Sequence, residues 1–420
     1  MPRMGLLINF FGVVDMTHCI SSIQPRPTRN AAAVALLLAC AVGASSCTDR
    51  GANIVGPREV ANQAALRQAN TSGAILPNLS ATPTLSVSTV PANGDLNPYG
   101  VAFVPNGFAS DEGRLRPGDI LVSNFNDSSN LQGTGTTIVR ISPSGQQSLF
   151  FRGTHKLGLS TALGVLRAGF VIVGNVPTLT PSATCTQGAN GRERGVSEGS
   201  LLILDATAHV VKRLDNKQLA GPWDLTVRDR GSSAQVFVSD VLSGSVTRLD
   251  LTVGDDRVHV AAETRIASGY AHRCDPAALV VGPTGLALNP KTDVLYVAST
   301  GDNAIFAIDD ASTTMYDNGR GKLVVNDHVH LHGPLGLARA SNGDLISSQG
   351  DAVNPDAKHP SEIVEFTAKG QFVSQFSIDP AAGSAFGLAL KQTGESFVFA
   401  AVDDGLNVLD IWTGEAERTP

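Results

Sequence analysis

The chain has little of what would tie it to nucleic acid, to a fibre or to a membrane bundle. Charged residues make up only 16% and aromatics only 5% of its 420 residues, with two Trp and four Tyr. The net charge is −7 and no stripe of Lys and Arg occurs, which argues against nucleic acid as a partner. Neither a collagen period nor a heptad period is present, and 42% hydrophobic residues exclude a wholly disordered chain. The one uninterrupted apolar run, Ala31 to Ala44, falls short of the roughly 20 residues that a membrane-spanning helix needs. The sequence also lacks a G-x-S-x-G elbow, an H-E-x-x-H pair and a phosphate-binding Walker loop, and GTGT at 133–136 reads as a turn.

Cysteine is scarce as well. Of five, Cys19, Cys40 and Cys47 lie in the N-terminal segment, which leaves Cys185 and Cys274 in the body. Neither belongs to a C-x-x-C motif, so in an oxidising compartment one disulfide between them is expected. Such a compartment is suggested by the N-terminus. Arg26 and Arg29 precede the Ala31–Ala44 core, and Ser45, Ser46 and Cys47 follow it, the order of a secretory signal peptide over residues 1–46. Residues 1–15 lie upstream of a normal signal, so Met16 is a candidate start. Ala44-Ser45-Ser46-Cys47 resembles a bacterial lipobox, which would make Cys47 the lipidated first residue, although Ala44 stands where lipoboxes prefer Leu. Simple cleavage near Ser46 is the alternative. The expected product is exported, either to the periplasm or cell surface as a lipoprotein or in secreted form. Its only membrane contact would be the N-terminal lipid. Residues 47–83, rich in Ala, Asn, Thr, Pro and Ser, read as a flexible tether with a short helix over Pro57–Gln68.

What the chain does have is Gly, 43 residues of it, and a repeat. An apolar strand recurs as PYGVAF, TALGVL, PWDLTV, PTGLAL, PLGLAR and AFGLAL. Its equivalent positions are 100, 162, 224, 285, 336 and 387, at spacings of 62, 62, 61, 51 and 51. Each copy is followed by a second and a third apolar strand, and five copies by a fourth, with Gly, Asn and Asp turns between them. Four short strands per unit of about 50 residues is the size of a propeller blade. The sixth copy stops after its third strand, while an orphan strand, Leu85–Val90, precedes the first. The expected fold is therefore all-β, a six-bladed β-propeller over residues 84–420, closed when the N-terminal strand completes the last blade. Linker at 85–90, with closure by packing alone, is the alternative.

These copies, PTGLALNPKTDVLYVASTGDNAIFAID above all, resemble NHL-repeat propellers and more broadly the senescence-marker/gluconolactonase-like superfamily. The resemblance implies a six-bladed ring and, in its enzymes, a divalent cation held in the channel by Asn or Asp just before the motif Gly. Here those positions carry Tyr99, Thr284, Leu335 and Phe386, a poor set for a hard cation. Asp224 stands at the Gly position of its own copy. Asp240, Asp302, Asp351 and Asp403 follow the repeat position by 16, 17, 15 and 16 residues, and Asn124 and Asn175 fill the same turn in the first two copies.

A ring of this kind at one channel mouth would bind calcium or magnesium, less readily zinc, with Asp224, Asp240 and Asp302 as the first candidates. Each residue could instead cap its own turn. His155, His272 and His332, in corresponding turns of three copies, form a second candidate metal set. His328, His330 and His332 alternate, so a strand there would place them on one solvent-facing side, opposite Leu323, Val325, Val329 and Leu331. Trp223 either lines a ligand pocket or packs between blades. Two functions stay open. One is an exported, monomeric propeller that binds a small molecule or a protein at its channel mouth. The other is a metal-dependent, lactonase-like hydrolase or lyase acting in the channel.

Overall fold

A computed structural model of the chain describes residues 72–109, 113–154, 156–188 and 192–416. The segment expected to be a signal peptide, Met16, Cys47, the helix expected at Pro57–Gln68 and His155 lie outside the described residues.

The described chain forms six four-stranded antiparallel sheets. Their first strands are Leu96–Phe103, Leu159–Leu166, Pro222–Asp229, Pro283–Asn289, Pro334–Arg339 and Ala385–Thr393, the six copies read from the sequence. Each begins one blade, numbered 1 to 6 in chain order, and packs against the first strand of the next. The strand of blade 6 also packs against that of blade 1. The chain is thus a six-bladed β-propeller. The last blade lacks a fourth strand of its own, and Leu85–Ser88 supplies it. Leu85 pairs with Ile411 and Val87 with Leu409, so the ring closes through backbone hydrogen bonds as well as packing.

The core sits between blades, because alternate residues of a strand point to opposite faces of its sheet. In the second strand of blade 4, Leu295 and Val297 pack against blade 3, whereas Tyr296 and Ala298 pack against blade 5. Both faces are buried, which explains why these strands read as continuous apolar runs. Each of the six interfaces between neighbouring blades holds its own apolar cluster.

The motif Gly has a steric origin. Register shifts interrupt every inner strand at the repeat position, as between Pro283 and Leu286 or Ala385 and Leu388. At that shift a carbonyl of the next blade comes very close. A Cβ on Gly285 would lie 2.3 Å from the Leu335 oxygen, on Gly336 2.7 Å from that of Phe386, and on Gly387 1.7 Å from that of Tyr99. A side chain there would force neighbouring blades apart.

The segment expected to be a free tether up to residue 83 meets the propeller sooner. Ile75 and Leu76 are buried among Phe399, Trp412 and their neighbours of blades 5 and 6. Their backbone N–H groups donate to the buried carboxylate of Glu365, at 3.0 and 2.8 Å. Apolar burial and the needs of an otherwise unpaired carboxylate both hold this strap down.

Candidate functional site

The six inner strands start, and the six second strands end, on one face of the ring, as the pairs Pro98 with Asn124 and Pro222 with Asp240 show. On this face the chain builds a cavity of about 290 Å³. Its apolar lining includes four of the side chains just before the motif position: Tyr99, Trp223, Leu335 and Phe386. Tyr99 stacks between Phe125 and Phe386, with ring centroids 4.6 and 4.5 Å away, and Trp223 meets Tyr99 and Phe125 edge-on. Phe386 ends the three-ring stack and is only half-buried, so part of its surface stays open to the cavity.

A cap covers one side. Arg273–Asp275 and Leu279–Val281 pair as a short hairpin just before the inner strand of blade 4. Leu279 and Val280 pack against the channel aromatics, and Ala277, Ala278 and Val281 line the cavity. A Cys185–Cys274 disulfide, with Cα atoms 5.3 Å apart, ties this hairpin to the long insertion of blade 2. The sequence pointed to this bridge. Two further contacts support the clasp: His272 Nδ1 lies 3.0 Å from Glu193, and Gln132 Nε2 donates to the Ala277 carbonyl at 3.1 Å.

The polar lining is sparse and partly unsatisfied. Asn97, held at φ 60°, has its Oδ1 buried without a partner, and so have Asp351 its Oδ1 and Trp223 its Nε1. Asp351 Oδ2, by contrast, accepts from the N–H groups of Ser361 and Gly383 at 3.0 and 2.8 Å. Asp404 also lines the cavity, where burial, with Asp403 adding its charge, pushes its carboxyl up to about 7. Burial and the charge of Asp404 likewise push the Tyr99 phenol up.

The predicted channel-mouth residues divide. Asp351 and Trp223 line the cavity; most of the others are engaged by their own turns. Asp240, fully buried, accepts from Thr247 Oγ1 at 2.7 Å and from the Ala220 N–H at 3.2 Å, and burial pushes it up to about 8. Asp302 accepts from Ser299, from the Ala271 N–H and from Arg320. Asp403 caps the Leu406 N–H at 3.1 Å, and burial, with Asp379 and Asp410 nearby, pushes it up to about 6. Asn124 and Asn175 donate to Thr89 and Ser200 carbonyls, each leaving a buried Oδ1 unpaired. Asp224 fills the inter-blade gap that Gly fills in four of the other five blades. Its carboxylate accepts from Leu225 N–H at 2.7 Å and, across the gap, from Leu286 N–H at 3.2 Å, while burial holds its pKa well above the usual range.

No three His, Cys, Asp or Glu among the described residues are grouped as a metal ion would require. Asp224, Asp240 and Asp302 therefore do not form the expected centre, because each carboxylate serves its own turn or blade gap. The cation implied by the resemblance is not matched by the donors present. The histidines separate too. Blade 4's outer strand ends at Val325, and a turn capped by Asp327 follows, so His328, His330 and His332 share no face and Val329 is exposed. His330 stacks on Phe372, whereas His332 is buried, with Nε2 donating to Val329 O at 3.1 Å and 3.2 Å from Glu362.

No protein-family model and no curated protein matches the chain. Solved structures do. A gluconolactonase from Xanthomonas campestris aligns at 16% identity and TM-score 0.45, over 81% of this chain and 99% of its own. A virginiamycin B lyase from Staphylococcus aureus aligns at 15% and 0.41, over 79% and 99%. The calcium-binding protein regucalcin from Agrobacterium tumefaciens gives 11% and 0.45, over 79% and 95%. All belong with the gluconolactonase-like and streptogramin-lyase propellers. Likeness this distant says nothing of the chemistry of the site.

Sequence reasoning missed Asn97, Gln132, Asp404 and the cap hairpin. For Tyr99, Leu335 and Phe386 the repeat marks the position but not the wall, since four of the six residues before the repeat position line the mouth while Thr161 and Thr284 do not. Tyr99, Leu335 and Phe386 stood out as missing metal ligands, yet together they form an apolar wall.

Proposed function

We propose that this is an exported propeller that binds a small ligand with a flat apolar portion in the aromatic basin of its channel mouth. The observation that carries this reading is the half-open ring stack of Tyr99, Phe125 and Phe386 beside Trp223, in a cavity with few polar groups. Concave, mostly apolar pockets with a few convergent polar atoms are the usual form of small-molecule sites. The disulfide supports export, since such bonds persist in oxidising compartments. The neutral dye N-phenyl-1-naphthylamine tests the basin. Its emission should rise saturably with wild-type protein, and Ala352→Phe, which fills the cavity from its wall, should abolish the rise. A wild-type protein that gives no saturable rise overturns the assignment.

The metal-dependent hydrolase or lyase remains the second reading. It predicts saturable calorimetric heat with calcium, magnesium or zinc, and flat titrations with all three would end it.

A further inference from the structure

The cavity has carboxylates and aromatic rings but no cation. Asp351 and Asp404 stand in its wall, one with a buried oxygen that has no partner, and the described lining residues include no Lys, Arg or His. Half-buried Phe386 presents ring surface to the same space, which is bordered by Tyr99, its two faces stacked on Phe125 and Phe386, and by the buried Trp223. Carboxylates in a partly dry site raise the energy of the empty pocket unless positive charge joins them. Ring faces carry negative quadrupole potential and favour a weakly hydrated cation over a neutral group of equal size.

Resting on the ligand-binding role proposed above, we infer that the basin selects an organic cation, a substituted ammonium attached to a flat apolar body. The ammonium sits against Asp351 and Asp404 while the apolar body lies on Phe386 under the Val280–Val281 edge of the cap. Inorganic cations do not fit this description, because their dehydration needs several oxygen ligands that are not gathered here. The state of Asp404 agrees with the inference. Beside Asp403 and Tyr99 its carboxyl is held near neutrality by burial, the condition of a buried acid that awaits a counter-charge.

The test separates charge from shape. Phenyltrimethylammonium and tert-butylbenzene have nearly the same outline and differ in charge. Each is used to displace N-phenyl-1-naphthylamine from the full chain. Phenyltrimethylammonium should displace the dye at a concentration at least tenfold lower than the neutral isostere. Asp404→Asn, alone and combined with Asp351→Asn, should shrink that ratio stepwise toward one. Equal displacement by the two compounds, or better displacement by tert-butylbenzene, overturns the inference while the apolar basin stands. A ratio of ten that survives both Asn substitutions also overturns it, because the charge would then be read elsewhere. Failure of the dye to bind wild-type protein belongs to the basin itself and is seen before either competitor is added.

Discussion

Gly387→Ala puts the steric account of the repeat to a direct test. The added Cβ would lie 1.7 Å from the carbonyl oxygen of Tyr99, where ordinary contact begins at 3.4 Å. The obstacle is backbone of the neighbouring inner strand, so no side-chain rotation relieves it. Blades 6 and 1 would have to separate by more than about 1.5 Å, across the interface where the ring closes. Overpacking a core costs about 1–3 kcal/mol, and a rigid obstacle places this case at about 3 kcal/mol. For a domain of this size, at about 2 °C per kcal/mol, the melting temperature should fall by about 6 °C. Gly254→Ala is the matched control, since its nearest neighbour would be Arg257 O at 3.7 Å, an ordinary contact. Thermal denaturation followed by circular dichroism reads both variants. Because Tyr99 carries the carbonyl and also stacks on Phe386, Gly387→Ala should weaken dye binding as well. A Gly387→Ala protein that melts within about 1 °C of wild type would refute the close approach and the reason given for the motif Gly.

Two further predictions concern charge and the cap. Several buried carboxyls have raised pKa values, Asp240 to about 8 and Glu365 and Asp404 to about 7, all chiefly through burial. An acid whose folded pKa exceeds its unfolded value contributes stability that is present at low pH and lost as pH rises toward the folded pKa. The protein should therefore melt higher at pH 5 than at pH 8, and Asp240→Asn should flatten that slope; a wild-type melting temperature that rises from pH 5 to pH 8 contradicts the assignment. The Cys185–Cys274 bridge closes a sequence separation of 89 residues. Cys185→Ala with Cys274→Ala should cost about 2–4 kcal/mol and expose the blade 2 insertion and the 273–281 hairpin to limited proteolysis. Unchanged melting and unchanged cleavage would show that the cap is held without it.

The fold was legible in the sequence because a propeller repeats its physics six times. The inter-blade gap demands Gly or a small residue at the same strand position in most blades. Both faces of each strand are buried, so apolar runs recur at blade spacing, and the missing fourth strand of the last copy could be matched to the spare strand at Leu85. The site was less legible, for the opposite reason. A ligand basin on a repeat scaffold is made where the blades differ, and differences have no period. Tyr99, Trp223, Leu335 and Phe386 occupy equivalent positions with dissimilar side chains, so no pattern marks them as one wall. Asp240, Asp302 and Asp403 do recur, and they recur because every blade needs its turn capped. The cap hairpin follows no repeat at all; only the pairing of Cys185 with Cys274 hinted that a loop of blade 2 and a loop before blade 4 meet. In a fold of this kind, then, a residue type that repeats from blade to blade reports first on the scaffold, and Asp351, one of the recurring set, enters the site through the Oδ1 that its own turn leaves unpaired. The aromatic and acidic residues that break the repeat at the channel mouth, Phe386 and Asp404 among them, are where the ligand chemistry should be sought.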